Sequence, residues 1–376
     1  MSDTRIDFLY LNEQDMIKAG VNDMEKCLET MTEVYKVMGE GDYVMGGQNH
    51  NSHGQMISFP DNPVHPGMPH NGPDRRFMTM ECYLGGKFHI AGEKWYGSNL
   101  DNKEKGLPRS ILMVMLNDPD TGAPVALESA NLLSAMRTGA IPGVGAKVLA
   151  PENPKVVAMI AAGAISRNSL PSILLACPTV ETVKIYDVFP KASEDMKKLI
   201  EERPEKYPHV KEVIICNSIE ECVKDADIIN AATSGKVDPR LEKAWLKPGC
   251  MVSLPATVDL DLEFIKECSI VCDNFKMYEA WGAEMGYPLA AKINGMGERT
   301  FDYVHDGIVK REDVIDLGEV YAGKKAPRKH KDQIVLFAQG GQATYDVAWG
   351  WTCWQKAKEL GIGQTLNLWE SPALGK

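Results

Sequence analysis

The chain has 376 residues, of which 44% are hydrophobic and 25% charged, with a formal net charge of −11. That length exceeds one ordinary core and predicts two domains of water-soluble globular composition. The acidic balance argues against nucleic-acid or anionic-membrane partners, which need a basic face, and the longest apolar run, Val156 to Ile165, is too short to cross a bilayer.

Met24, Cys27, Leu28, Met31, Val34, Tyr35 and Met38 recur on one face and predict a helix from Asn22 to Met38, stopped by Gly39 and Gly41. A loop rich in Gly, Asn, His and Pro follows, from Gly46 to Pro73. Strands are expected at Phe77 to Leu84 and Lys87 to Tyr96, joined by the two-residue link Gly85-Gly86 as a hairpin. A second hairpin is expected between Ile111 and Leu127 around Asp118 to Gly122, which makes this part antiparallel α+β. A helix of small residues from Asn131 to Ala150 is expected to break near Pro142-Gly143.

Beyond it, strands and helices alternate. Strands are predicted at Val156 to Ile160, Thr182 to Tyr186, Val210 to Cys216, Asp227 to Ala231, Met251 to Leu254 and Ser269 to Cys272, with helices such as Ala192 to Glu202 and Ile219 to Asp225 between them. That is the pattern of a doubly wound parallel sheet, a Rossmann-type α/β fold. After about Arg311 the alternation ends, and the strand Ile334 to Phe337 with the helix Tyr345 to Leu360 is expected to return to the first domain.

The segment Lys155 to Asn168 runs from an apolar strand through a turn of small residues into a polar helix start, and Val183 to Asp187 supplies a second strand ending in an acid. Small residues let the backbone approach a pyrophosphate at a helix N-terminus, and the acid takes ribose hydroxyls. An acid there also repels a 2′-phosphate, so NAD is expected over NADP. The fingerprint is partial: Gly163 is its clear glycine, and Ala161 stands at the first position, where it can form the turn if its φ stays negative. An ordinary βαβ turn without a ligand is the alternative.

Other residues invite chemistry. Lys94, on the second strand beside a Gly-Ser-Asn turn, either aims its ammonium at an anionic group or points to solvent. Arg137 lies in a helix of small and apolar residues, where a charge needs a partner, either a bound carboxylate or an internal salt bridge. Thr257 and Asp259 follow a late strand whose carboxyl end faces the cofactor crevice, and helix capping is an equal role for Asp259 or Asp261. His50 and His53 have hook-like spacing, but no third ligand stands at a fixed offset, so no metal is expected. Nine cysteines without regular spacing, and a start with no basic segment before an apolar core, predict reduced thiols in the cytoplasm.

Together these motifs resemble the ornithine cyclodeaminase/μ-crystallin family across nearly the whole chain. Lys94 with Asn99 is similar to the family's Lys…Pro-x-Asn segment, and Leu133 to Ala140 to its Ala-x-Arg-Thr-Ala-Ala helix, the most specific element. Met159 to Arg167 falls on its Gly-x-Gly-x-Gln turn and Asp227 to Ser234 on its Asp-Ile-Ile-x-x-x-Thr strand, while Lys247-Pro-Gly249 and Gly361-Ile-Gly363 also correspond. The resemblance implies a homodimer. An outer substrate-binding and dimerisation domain of residues 1–130 plus 320–376 would hold an inserted NAD domain of residues 131–319. It implies that Lys94 and Arg137 hold a substrate α-carboxylate, with Thr138, Gly163, Ala164, Ile165, Ser166, Arg167, Asp187, Thr233 and Ser234 around the cofactor, and that hydride moves between the substrate Cα and nicotinamide.

Three positions depart from the family. Its N-terminal carboxylate-binding arginine falls near Gln48, with the pair Arg75-Arg76 as a possible replacement; the cofactor turn lacks its first glycine; and the catalytic aspartate of cyclodeaminases falls on Val258, with Asp259 one residue away. The leading expectation is therefore an NAD-dependent oxidoreductase acting on the C–N bond of a small amino or imino acid, an imine reductase or amino-acid dehydrogenase, with Lys94, Arg137 and Asp259 catalytic and Gln48 and Thr257 at the substrate. The alternatives are true cyclodeamination of ornithine to proline with loss of ammonia, and a non-catalytic protein that binds NADH or a small ligand.

Overall fold

The computed structural model describes residues 4–235 and 237–374. They form two compact units: Met1–Asp23, Gly41–Arg137 and Gln342–Lys376 make the first, Met24–Glu40 and Thr138–Gly341 the second. No helix among the described residues is long and apolar enough to cross a membrane.

The first unit is built on one eight-stranded sheet. From edge to edge it runs Gln364–Trp369, Ile6–Leu11, Pro124–Ser129, Ser110–Asn117, Ile90–Ser98, Arg76–Leu84 and Tyr43–Met45, with Gln55–Ser58 also pairing with Arg76–Leu84. All neighbours are antiparallel except Ile6–Leu11 against Pro124–Ser129. The link between the two long strands is not the expected two-residue glycine turn. Residues 85–89 all lie outside the strands, because the Phe88 ring turns into the core and packs edge-on against Trp351.

Alternation along the strands puts Met80, Lys94, Val114, Glu128 and Leu11 in one row on the inner face. Helix Ala343–Leu360 packs on that face, ending at Gly361 in the left-handed conformation (φ 62°). Its Gly350 allows a close approach there: a Cβ would lie 2.5 Å from Glu128 Oε2 and 3.2 Å from Val114 Cγ1.

The second unit is a sheet of eight parallel strands in the order Glu212–Ile215, Thr182–Tyr186, Val156–Ile160, Ile228–Ala231, Met251–Leu254, Val335–Ala338, Ser269–Cys272, Val314–Asp316. This is the doubly wound order expected from the alternating pattern. Strand Val335–Ala338 inserts between Met251–Leu254 and Ser269–Cys272, so only the following helix belongs to the first unit. The expectation that strand and helix return together is thus corrected: four apolar, wholly buried residues fit the middle of a parallel sheet.

Helix Met24–Glu40 also groups with the second unit, and Gly39 lies inside it, close against Gly318. The expected break at Pro142 is absent, since the helix continues from Asn131 to Leu149. The Ser172 hydroxyl takes over the local bonding, donating to the Gly139 carbonyl at 2.6 Å and accepting from the Gly143 amide at 3.2 Å. Glycine at 143 permits that approach, for a Cβ would meet Ser172 backbone at 2.5 Å.

Glu128 is a cost within this fold. Its side chain is fully buried, neither oxygen has a hydrogen-bond partner among the described residues, and burial raises its carboxyl well above the usual range. A group protonated only in the folded state contributes stability that is complete below its unfolded pKa and is lost as pH rises through the folded value. Replacing Glu128 with Met should therefore stabilise the protein by about 1–3 kcal/mol at neutral pH. Denaturant titrations from acid to alkaline pH should show the gain growing with pH; a variant less stable than wild type throughout would contradict this.

Candidate functional site

Lys94 stands at the centre of its strand, between Met80 and Val114 on neighbouring strands. It does not reach solvent: the residue is 3% exposed, and its ammonium donates to Asp346 Oδ2 at 2.9 Å. Arg137, on the long helix, donates from Nε to Asp346 Oδ1 at 2.9 Å and from Nη2 to Ser134 Oγ at 3.3 Å. One carboxylate thus serves two cations, one on each oxygen, and a net positive charge remains in a buried place.

Electrostatics tighten this arrangement. Burial and the neighbouring Arg137 push the Lys94 ammonium down to about 8, against the opposing pull of Asp346. Burial acts to raise the Asp346 carboxyl, but Arg137 and Lys94 together hold it below its ordinary value. Lys94 also lies 5.4 Å from the centroid of the Tyr96 ring and Arg137 5.9 Å from that of Tyr345, faces that favour cations. A second anion brought to this cluster would meet donors already fixed in position.

Asp346 was not singled out by sequence. The available signal was an acid in the first turn of a helix whose neighbours Ala343, Tyr345, Val347, Ala348 and Trp349 are apolar or aromatic and buried. A carboxylate in that setting needs cations, and Lys94 and Arg137 were already candidates for an anionic partner.

The second unit carries the dinucleotide-type turn. Strand Val156–Ile160 leads through Ala161 and Ala162 to Gly163, the N-cap of helix Ala164–Ala176, and no side chain caps that helix. Its first-turn amides are therefore available to an anion. A Cβ at Gly163 would meet nothing within 4 Å, so the approach is open. Ala161 does not keep a negative φ: it adopts +74°, with its amide donating to the Tyr186 carbonyl at 2.8 Å. The turn needs the left-handed conformation that a first glycine gives freely.

Asp187 sits against this turn, accepting from the Ala162 amide at 2.7 Å and the Phe189 amide at 2.8 Å. Arg167 reaches back to the Ala162 carbonyl at 3.1 Å, and Ser166 is buried with its hydroxyl unpartnered among the described residues. Ala164 and Ile165 are exposed on the first helical turn, and Thr233 and Ser234 follow the carboxyl end of Ile228–Ala231. Thr138 is half-buried on the helix that begins at Asn131.

Gln48 is exposed in the turn after Tyr43–Met45. Thr257 is buried and donates to the Val258 carbonyl at 3.4 Å. Asp259 is held at 3.2 Å by Arg240 on the surface of the second unit, and Asp261 caps helix Leu262–Glu267, as the capping alternative allowed. Val258, where cyclodeaminases carry their aspartate, is buried. Sequence reading also passed over a polar line at the strands' carboxyl ends: half-buried Gln339 donates to buried Ser253 Oγ at 2.7 Å, and Ser253 to buried Asn230 Oδ1 at 3.0 Å.

The strained turn gives a direct test. Ala161→Gly should stabilise the protein by about 1 kcal/mol, because glycine adopts positive φ without the Cβ clash. Thermal unfolding should show a higher midpoint; a lower one would mean that the turn does not hold this conformation in solution.

Residues 20–361 match the ornithine cyclodeaminase/mu-crystallin family. The chain is 28% identical to the N-((2S)-2-amino-2-carboxyethyl)-L-glutamate dehydrogenase of Staphylococcus aureus, over 96% of this chain and 99% of that one. It is 29% identical to the alanine dehydrogenase of Archaeoglobus fulgidus, over 77% and 83%. Among solved structures, the Δ1-pyrroline-2-carboxylate reductase of Thermococcus litoralis, in complex with NADH and L-proline, superposes with a TM-score of 0.73 at 25% identity, covering 95% of this chain and 99% of that one. With the matched family spanning most of its length, the chain belongs to the ornithine cyclodeaminase/mu-crystallin family.

Proposed function

We propose that this protein is an NAD-dependent oxidoreductase that acts on the C–N bond of a small amino or imino acid, interconverting amine and imine by hydride transfer. The observation that carries the reading is the shared carboxylate: Asp346 fixes Lys94 and Arg137 and leaves one positive charge uncompensated, which suits a substrate α-carboxylate. Two cations on one carboxylate define the direction of the adjoining Cα–H, and that orientation is what hydride exchange requires. The relatives named dehydrogenase and reductase support the same chemistry.

The turn at Ala161 to Ser166 fits a dinucleotide, with an uncapped helix N-terminus, open space at Gly163 and the acid Asp187 beside it. Gly163, Ala164, Ile165, Ser166 and Arg167 would hold the pyrophosphate, Asp187 the adenosine ribose, and Thr138, Thr233 and Ser234 the remainder. NAD would accept or return the hydride. Lys94 and Arg137 bind and orient the acid, and Asp346 keeps both in place. Asp259 as a base is not favoured, because Arg240 already engages its carboxylate.

A homodimer fits the outer face of the first sheet, where Ile57, Phe77, Ile111 and Met113 are exposed on neighbouring strands. A reducing compartment such as the cytoplasm fits nine cysteines that remain thiols.

Turnover with NAD and a panel of amino acids, followed by NADH absorbance and by ammonia, tests the reading. Net NADH formation is expected; ammonia without net NADH would instead establish cyclodeamination, and binding without turnover a ligand carrier. Lys94→Met should lower kcat/KM about a hundredfold, the equivalent of roughly 2.7 kcal/mol. Because the ammonium must be charged to hold a carboxylate, kcat/KM should fall as pH rises through about 8. Asp346→Asn removes the charge that raises Lys94, so this alkaline limb should move to lower pH; an unmoved limb would detach Lys94 from substrate binding.

A further inference from the structure

The arrangement around Asp346 occurs twice in the first unit. Asp74, just before strand Arg76–Leu84, is paired through Oδ1 with Arg76 and through Oδ2 with Arg109, so a second carboxylate also serves two cations, one on each oxygen. Each cluster carries two positive charges against one negative and is left with a net positive charge.

The two clusters flank one aromatic ring. Lys94, Tyr96 and Ser98 share the inner face of their strand, and Arg76 stands opposite Ser98. Tyr96 therefore lies between Lys94 and Arg76, whose charged ends sit 5.4 Å and 5.8 Å from its ring centroid. The ring is buried and its hydroxyl is tied to Met78 Sδ at 3.0 Å, so it is a fixed spacer. The two cations are thus at most roughly 11 Å apart.

We infer that Arg76, backed by Arg109, binds a second carboxylate of the substrate, and that the preferred substrate is a short dicarboxylic amino or imino acid. Its α-carboxylate is taken by Lys94 and Arg137, as proposed above, and this inference rests on that reading. A carboxylate sits within about 4 Å of the nitrogen that pairs with it, and the carboxyl carbons of a four- or five-carbon diacid lie roughly 4–6 Å apart by ordinary bond lengths. Such a molecule bridges the interval past the Tyr96 ring.

Arg76 has donors to spare: one terminal nitrogen engages Asp74, and the planar group carries five N–H bonds in all. Its side chain is 28% exposed, against 4% for Lys94, so a ligand can reach it. A monocarboxylic acid would leave this cluster's surplus charge unanswered.

Calorimetric titration of the NAD-loaded protein with glutarate and with butyrate, which differ by one carboxylate, tests the assignment. Glutarate should bind about tenfold to a hundredfold more tightly, the worth of one charged hydrogen-bonded pair. Arg76→Met should bring glutarate to the level of butyrate and leave butyrate unchanged. Asp74→Asn releases both arginines and should tighten glutarate. If the Arg76–Asp74 pair is only structural, both variants weaken glutarate, and the inference fails. Equal affinity of the two acids for the wild-type protein also overturns it. Lys94→Met separates this inference from the reading beneath it: the variant should weaken both acids whatever Arg76 does, and unchanged binding of both would overturn the α-carboxylate site itself.

Discussion

A buried carboxylate that answers two buried cations organises the first unit. Lys94 and Arg137 are both taken out of water, which costs several kcal/mol for each ion unless a partner answers it. Asp346 compensates for one charge and leaves the other unmatched, the charge that the proposed function assigns to a substrate acid. The helix from Ala343 to Leu360 is therefore more than a cover for the sheet. Its first turn delivers Asp346, and one turn further on Gly350 lets it settle over Glu128.

The second unit solves a different problem with backbone rather than charge. A parallel sheet, a tight turn and an uncapped helix present unpaired amides, and Asp187 ties the turn to the neighbouring strand. Ala161 forms that turn at positive φ, where most residues would be strained. The turn's shape is set by the bonds of the Ala161 and Ala162 amides to Tyr186 and Asp187, which outweigh the cost of the alanine Cβ. The same division of labour suits a reaction in which the cofactor carries the hydride and the protein binds and orients.

Much of this was legible in the sequence because the relevant periods are short-range. Apolar strands of four or five residues between helices announced the parallel sheet, and small residues before a polar helix announced the turn. Arg137 stood out as a charge among apolar neighbours. Non-local pairing was not legible. Asp346 lies 252 positions from Lys94 and 209 from Arg137, so nothing in local pattern joins them. The unbroken helix at Pro142 depends on Ser172, some thirty positions on, whose hydroxyl takes over the bonding of the Gly139 and Gly143 backbone. The five-residue link at Gly85 was misread because Phe88 turns inward, a choice that packing against Trp351 makes and turn chemistry does not.

The most direct measurement is the proton balance of carboxylate binding. If Lys94 titrates near 8 and grips the acid as an ammonium, a bound carboxylate raises its pKa, and binding at pH about 9 must draw a proton from solution. Calorimetry of butyrate binding in buffers of different ionisation enthalpy should show uptake approaching one proton per site at that pH and almost none at pH about 6.5. Binding with no proton uptake at either pH would contradict the account.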